Sequence, residues 1–193
     1  MVTDILRLRG HTIAGYIETK PGGESFLGAP IYGADELPRL RQRGLSRIII
    51  AVGDCPTRLE LADRAAGEGF TFITAIHPSA VVAGDVAIGE GTVVAAGAVI
   101  NPGSVIGRHC IINTRSSVDH DGRIGDGVHI APAAALAGNV TVGRASWVGI
   151  GSCVIQKITI GEGTMIGAGA VVIRDIPSHV TAVGVPAKVL KPV

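Results

Sequence analysis

The stretch from Val82 to Ile124, VAGDVAIGEGTVVAAGAVINPGSVIGRHCIINTRSSVDHDGRI, decides the fold. Stepping by six from Val82 gives Ile88, Val94, Ile100, Ile106, Ile112, Val118 and Ile124. The rhythm continues without insertion through Ile130, Leu136, Val142, Val148, Val154, Ile160, Ile166 and Val172. All sixteen positions are Val, Ile or Leu. Glycine often follows them, as at Gly89, Gly107, Gly125, Gly143, Gly149, Gly161 and Gly167. A small residue usually stands two before, as at Thr92, Ala98, Ser104, Ser116, Ala134, Ser146 and Thr164. A six-residue period is the mark of a parallel β-helix. Each hexad supplies one short strand and a corner, and its aliphatic residue points inward. Three hexads close a triangular coil, so residues 18 apart stack. Gly and Asn near the corners are expected to supply positive φ.

Residues 1–76 have a different texture. Thr12–Glu18 and Arg47–Gly53 read as buried strands, and Thr71–Ile76 as a further one. Asp35–Arg43 reads as a short helix with Asp35 at its cap. Pro56–Ala66 reads as a longer helix, with Asp54 as cap and Pro56 in its first turn. Alternating strands and helices imply a small α/β unit with a parallel sheet. His77-Pro78 marks the boundary, because a residue before proline is held extended. The expected organisation is an α/β unit over 1–76, a β-helix over 77–176 and a C-terminal cap over 177–193. The α/β unit covers the first coil and the cap the last, since both ends of a stacked sheet are open edges.

Composition narrows the function classes. Of 193 residues, 47% are apolar and 17% charged, with 28 glycines and only 3% aromatics. Such a core is built of many thin layers of small side chains. The net charge of +1 gives no support for a nucleic-acid or acidic-membrane partner. Cys55, Cys110 and Cys153 are scattered, which suits a reducing compartment and argues against a disulfide framework or a cysteine-rich metal site. No apolar run reaches the roughly 18 residues of a membrane span. The N-terminus is too polar for a signal peptide. A cytoplasmic location is the expectation.

Polar residues that interrupt the repeat are the candidates for chemistry. Asp119-His120-Asp121 lies between Val118 and Ile124. A histidine followed by a carboxylate suits a general base whose partner orients the ring and raises its basicity. Asp121-Gly122 is equally at home in a solvated turn. Adding 18 to 120 gives Gly138, whose N–H would suit an oxyanion; a glycine there also suits a simple corner. His129 precedes inward Ile130, so it is expected to point outward at the surface. Lys188, on the cap, is either a solvated charge or a partner for a ligand phosphate.

One resemblance covers nearly the whole chain, from about residue 3 to 190. The stretch Ile112-Asn113-Thr114, Val118-Asp119-His120-Asp121, Ile124-Gly125-Asp126-Gly127-Val128-His129-Ile130 and Ala137-Gly138-Asn139-Val140, closing with Val183-Gly184-Val185-Pro186-Ala187-Lys188, resembles the bacterial nucleotide-sugar N-acetyltransferases. These are grouped with sialic-acid O-acetyltransferases. The resemblance implies a truncated Rossmann-like α/β domain followed by a left-handed parallel β-helix. It implies a homotrimer with active sites between neighbours, acetyl-CoA as co-substrate, no metal, and a sugar amine or hydroxyl as acceptor. In that frame His120 is the base, Asp121 its acidic partner and Gly138 the oxyanion donor. His129, Ile150 and Ala168 match positions that contact acetyl-CoA, although a glycine can stand at the last. Transfer is then direct, with no acyl-enzyme.

One departure stands out. Members of that family open with a strand and a Gly-rich turn that meets the nucleotide sugar. This chain starts inside a first helix, Val2–Arg9, so the sheet lacks its expected central strand. Either the start is truncated or misassigned, or the acceptor differs. Glu18 and Thr19 occupy the place of the family's acidic, base-contacting residues. Two other readings compete. A metal enzyme on the same scaffold, of the γ-type carbonic anhydrase kind, needs three converging histidines, and no third joins His120 and His129. A non-catalytic β-helix that only binds a ligand would not need the His120-Asp121 pair.

Overall fold

The elements ahead of the repeat are shorter than their apolar runs. The computed structural model describes residues 1–19 and 22–192. Helix α1 (Val2–Leu8) is followed by β1 (Tyr16–Glu18), β2 (Ser25–Phe26) and β3 (Ala29–Gly33). Helix α2 (Leu37–Gln42), β4 (Arg47–Ile48), α3 (Cys55–Gly67) and β5 (Thr71–Phe72) complete the unit. β1 pairs in parallel with β3, which pairs antiparallel with β2; β4 pairs in parallel with β5 in a separate two-stranded sheet. The single parallel sheet expected here is thus two pieces with a gap. Strands expected to begin at Thr12 and to end at Gly53 are cut back because those residues find no partner strand among the described residues.

Capping explains two helix boundaries. Asp54 accepts from the Thr57 N–H at 3.0 Å and Pro56 sits in the first turn, so α3 starts where the sequence places it. Asp35 does not cap α2. It lies inside a 3₁₀ turn, Ala34–Glu36, whose start is held by Glu36 Oε1 accepting from the Gly33 N–H at 3.1 Å. The run 71–76 divides between two structures. Thr71–Phe72 stays with β4, while β6 (Ala75–Ile76) pairs with Val93–Val94 and forms the first rung of the repeat.

From Val81 a two-residue strand recurs every six residues to Val171–Val172, sixteen in all. Each pairs in parallel with the strand 18 residues away, as in Val99↔Ser117 and Ile111↔His129. Three faces result. The first runs from Val81–Val82 to Val171–Val172, the second from Ala87–Ile88 to Thr159–Ile160, and the third from β6 to Met165–Ile166. Fourteen of the sixteen repeat aliphatics are buried in one core; Val82 and Ile88, in the first coil, are half-buried against it. Val180–Val183 and Lys188–Pro192 extend the third face as a terminal hairpin.

The corners refine the expected role of glycine. Positive φ falls three residues after each inward aliphatic, at fourteen consecutive corners from Gly91 to Gly169, and seven of these are not glycine. Gly107, Gly125 and Gly143 instead sit where a Cβ would strike the backbone of the next coil. They are small so that coils can approach, not so that φ can be positive. Buried hydroxyls tie the coils together. Thr92, Ser104 and Ser146 each donate to a carbonyl 15 residues on and accept from an N–H 18 residues on.

Arg58 of α3 fastens the N-terminal unit to the β-helix. It is fully buried and donates to the carbonyls of His109 at 2.8 Å and Gly127 at 2.6 Å, and to Val52 and Gly53 on its own side. Leu59 packs over Gly127. A buried guanidinium is tolerated only when its donors are met, and here backbone carbonyls meet them. No helix among the described residues is long and apolar enough to cross a membrane.

Candidate active site

The corner that leaves the first face at Val118 carries His120 and Asp121. Asp121 adopts φ +59°, a region that Asp tolerates better than most residues. That turn brings its Oδ2 to 2.9 Å from His120 Nδ1. The pair holds the ring and leaves Nε2 free. The corner itself is clamped. Asp119 Oδ1 accepts from the His120 N–H and from Asn101 Nδ2, both at 2.8 Å. Ser104 Oγ donates to the Asp119 carbonyl at 2.9 Å and accepts from the Gly122 N–H at 3.1 Å.

Glycines make room above and below. A Cβ on Gly138, one coil on, would collide with His120 Nε2, and one on Gly103, one coil back, would meet Asp121 Oδ1. Gly138 is not at positive φ; Asn139 takes that role at +59°. The glycine therefore answers to the imidazole lying over it rather than to the turn. No acceptor is found for the Gly138 N–H among the described residues. His120 is more than half exposed. Hydrogen bonding to Asp121, helped by the charges of Asp119 and Asp121, raises its pKa above the ordinary 6.5. A solvent-open imidazole with raised basicity and a free Nε2 is chemically fit to accept a proton.

His129 is placed differently from the expectation. Its side chain leaves the prism on the third face, but it is buried rather than at the surface. The N-terminal unit covers it, an arrangement that depends on contacts such as Cys55 Sγ to the Ser146 carbonyl. His129 Nε2 lies 3.0 Å from Asn113 Nδ2, and the ring packs on Trp147 with centroids 4.1 Å apart. Since the Asn amide donates, Nε2 accepts and the ring is neutral. Burial, then the Arg58 charge, pushes its pKa down to about 4.

The other candidates are dispersed. Ile150 and Ala168 are exposed and stack 18 residues apart, at the corner that enters the first face. His120 and Gly138 stand at the corner that leaves it. Lys188 is exposed and opens the terminal strand. Glu18 ends β1 and lines a large cavity of the N-terminal unit; Thr19 is exposed beside it. Among the described residues, no group of three or more His, Cys, Asp or Glu is placed to hold a metal.

No protein-family model matches this chain. Solved structures do. A histidine-to-asparagine variant of perosamine N-acetyltransferase from Caulobacter crescentus, in complex with CoA and GDP-perosamine, is 46% identical with a TM-score of 0.96. That match covers 98% of this chain and 90% of that one. This chain belongs to the nucleotide-sugar N-acetyltransferases. Within that family, the acetyltransferase domain of PglB from Neisseria gonorrhoeae, in complex with acetyl coenzyme A, is 37% identical with a TM-score of 0.91, over 98% of this chain and 92% of that one. UDP-N-acetylbacillosamine N-acetyltransferase from Bacillus subtilis (strain 168) is 41% identical over 97 residues. That last match spans 48% of this chain and 44% of the relative, so less than half of its length is aligned.

Asn101, Ser104, Asn113 and Arg58 carry geometry that sequence reasoning did not assign. Asn101 and Ser104 were within reach. Each lies in the coil just before the His120 corner, where the 18-residue register places a neighbour. Arg58 gave no such signal, because its partners in the β-helix are carbonyls 51 and 69 residues away.

Proposed function

We propose that this nucleotide-sugar N-acetyltransferase moves the acetyl group of acetyl-CoA to the amine of a nucleotide-linked amino sugar, with His120 as general base. The observation that carries the reading is the stacked trio of His120, Asp121 and Gly138. The acceptor amine attacks the thioester carbonyl as His120 Nε2 takes its proton. The carbonyl electrons move to oxygen, where the Gly138 N–H donates a hydrogen bond. When the tetrahedral species collapses, the C–S bond breaks and CoA leaves as thiolate, protonated in turn by the imidazolium. Typical magnitudes are about 10²–10⁴-fold for a general base and about 10²–10³-fold for an oxyanion donor. Ile150, Ala168 and Lys188, all exposed, bind the CoA moiety; His129, expected to join them, is buried beneath the N-terminal unit and does not reach it. Glu18 and Thr19 face the nucleotide.

The working unit in this reading is a homotrimer. Within one chain, the His120 corner and the Ile150–Ala168 corner bound opposite edges of the first face. A single CoA touching both sets needs two copies. The first face also exposes Val81, Ile155 and Ile173. Three copies joined around that face bring one copy's His120 corner against the next copy's Ile150 corner, a closed heterologous ring. The small hollow of about 370 Å³ on this face, lined by Asn101, Asp119, Ala137 and Ile155, then becomes part of the seam.

The test is thiol release from acetyl-CoA with a panel of nucleotide-linked amino sugars, GDP-perosamine among them. The parent protein should turn over at least one. His120→Ala should lose about 10²–10⁴-fold while still binding CoA. Turnover by that variant close to the parent's would refute the assigned base, and no turnover with any amino sugar would refute the acceptor class.

A further inference from the structure

His120 is held at both ends of its side chain, and the two mounts differ. At the ring end, Asp121 Oδ2 meets Nδ1. At the main-chain end, the His120 N–H donates to Asp119 Oδ1. Its neighbours in the corner are tied to adjoining coils directly. The Asp119 N–H donates to the Leu136 carbonyl at 3.0 Å, and that of Asp121 to the Pro102 carbonyl at 2.9 Å. The Gly122 N–H donates to Ser104 Oγ at 3.1 Å, and that of Arg123 to the Val140 carbonyl at 2.9 Å. The His120 N–H is bound within its own corner. It reaches the adjoining coil through the carboxylate, because the same Oδ1 accepts from Asn101 Nδ2 at 2.8 Å. Asn101 is itself fixed, its N–H donating to the Val118 carbonyl at 2.9 Å.

Other coils lack this arrangement. Gly84, Gly138, Gln156 and Arg174 stand at the same point of their coils, and no acceptor is found for their N–H groups among the described residues. The residue just before each explains why. Ala83, Ala137, Ile155 and Ile173 have no polar side-chain atom to offer, whereas Asp119 does, and Asn101 precedes it in the same row. Left open, the His120 N–H would lie one rung from that of Gly138 and offer an acyl oxygen a second place to dock. An oxygen seated there would be displaced by about 4.8 Å, the spacing between paired strands. A carboxylate across the N–H closes that choice. Hydrogen bonds from Asn101, then from the His120 main chain, lower the Asp119 pKa, so the acceptor stays ionised.

We propose that Asn101 is a positioning residue for acetyl transfer, acting through Asp119. It anchors the main chain that carries the base, so that Nε2 stands over Gly138. It also holds the Asp119 carboxylate across the His120 N–H, so that of these two N–H groups only Gly138's is open to the acyl oxygen. The role rests on His120 as base and Gly138 as oxyanion donor. A displacement of about 1 Å at a reacting centre can cost about 10²-fold, so a side chain that never touches substrate can still govern the rate.

Two measurements test this, and the first needs no acceptor. Read residue by residue, hydrogen exchange of the His120 amide should be at least about tenfold faster in Asn101→Ala than in the parent protein, and at least as fast again in Asp119→Ala. An amide that keeps the parent's rate in Asn101→Ala would overturn the anchor. The second is steady-state kinetics with an amino sugar that the parent acetylates. Asn101→Ala should lower kcat about tenfold to 10²-fold, with the KM for acetyl-CoA, the acid limb of the pH profile and Tm all close to the parent's. A loss carried by KM would make Asn101 a ligand contact, and one carried by Tm a structural residue; either would overturn the proposal. Asp119→Asn keeps an oxygen that accepts from both donors, and should recover most of the rate that Asp119→Ala loses. Asp119→Ala and the double variant should be equally slow, since the two side chains act in one line. Losses that add would mean that they act independently. Turnover by His120→Ala at the parent's rate would remove the base itself, a failure told apart from these because the exchange difference at the His120 position would persist in Asn101→Ala.

Discussion

Gly138 and Asp121 show how much a single position decides at this corner. A methyl group on Gly138 has no φ to strain and no neighbouring backbone to strike; its obstacle is the His120 ring. Gly138→Ala should therefore displace the base and lower kcat/KM by about 10²–10³-fold, with Tm nearly unchanged. Gly125→Ala is the contrasting variant. Its Cβ would meet the backbone of Arg144 in the next coil, so it should lower Tm and leave the residual folded enzyme competent. Asp121→Asn addresses the base itself. His120 must be neutral to act, and its pKa is raised by Asp121, so the parent's activity falls as pH drops through that raised value. Without the carboxylate the pKa falls. The acid limb of kcat/KM should move to lower pH, and the plateau should drop because the base is weaker. A limb that stays in place would show that another group sets it.

At the scale of elements, the docking of α3 on the third face is the feature on which the molecule's stability against acid depends. Arg58→Leu leaves the His109 and Gly127 carbonyls buried without donors, at about 1–3 kcal/mol each. Chemical denaturation should show a loss of about 3 kcal/mol, and hydrogen exchange should place the loosening in the N-terminal unit while the β-helix core stays protected. His129 acts through the same interface. Its pKa is lowered from 6.5 to about 4 in the folded chain, so the unfolded chain binds the proton more readily. Its contribution is complete above 6.5 and is lost as pH falls from there towards 4, amounting to about 3 kcal/mol. His109, also lowered by burial, works in the same direction. Denaturation midpoints measured across that range should fall with acid, and less steeply in His129→Gln.

These elements also mark where sequence reading succeeds. The repeat is a local rule, renewed every six residues, so inward residues, the 18-residue register and the meeting of His120 with Gly138 could all be counted off the chain. The α3 cap was legible for the same reason, since Asp54 and Thr57 are three apart. The burial of His129 was not. Its cover comes from residues near Cys55, far off in sequence, and no periodicity connects them. The broken sheet was half legible. Both strands were found, but their lengths depend on pairing partners that residues 12–15 and 49–53 lack among the described residues.

For the whole molecule, the arrangement of corners makes a claim about assembly that one variant can decide. The two sets of proposed CoA contacts bound one face, and that face carries Val81, Ile155 and Ile173 in the open. A single chain has no way to fold one corner onto the other, because sixteen short strands, each paired with the coil above or below, hold the prism rigid. If copies close around this face, sedimentation of the parent should give three times the 19.6 kDa chain. Ile155→Asp places a charge in the seam, where an unpaired buried carboxylate is costly, yet in the isolated chain this side chain is partly exposed and outside the core. The variant should sediment as a 19.6 kDa monomer with an unchanged far-UV spectrum. It should lose transfer, because its intact His120 and Gly138 no longer face a neighbour's Ile150 and Ala168. A monomer that still turned over at the parent's rate would place the whole of the chemistry on one chain and remove the reason for the ring.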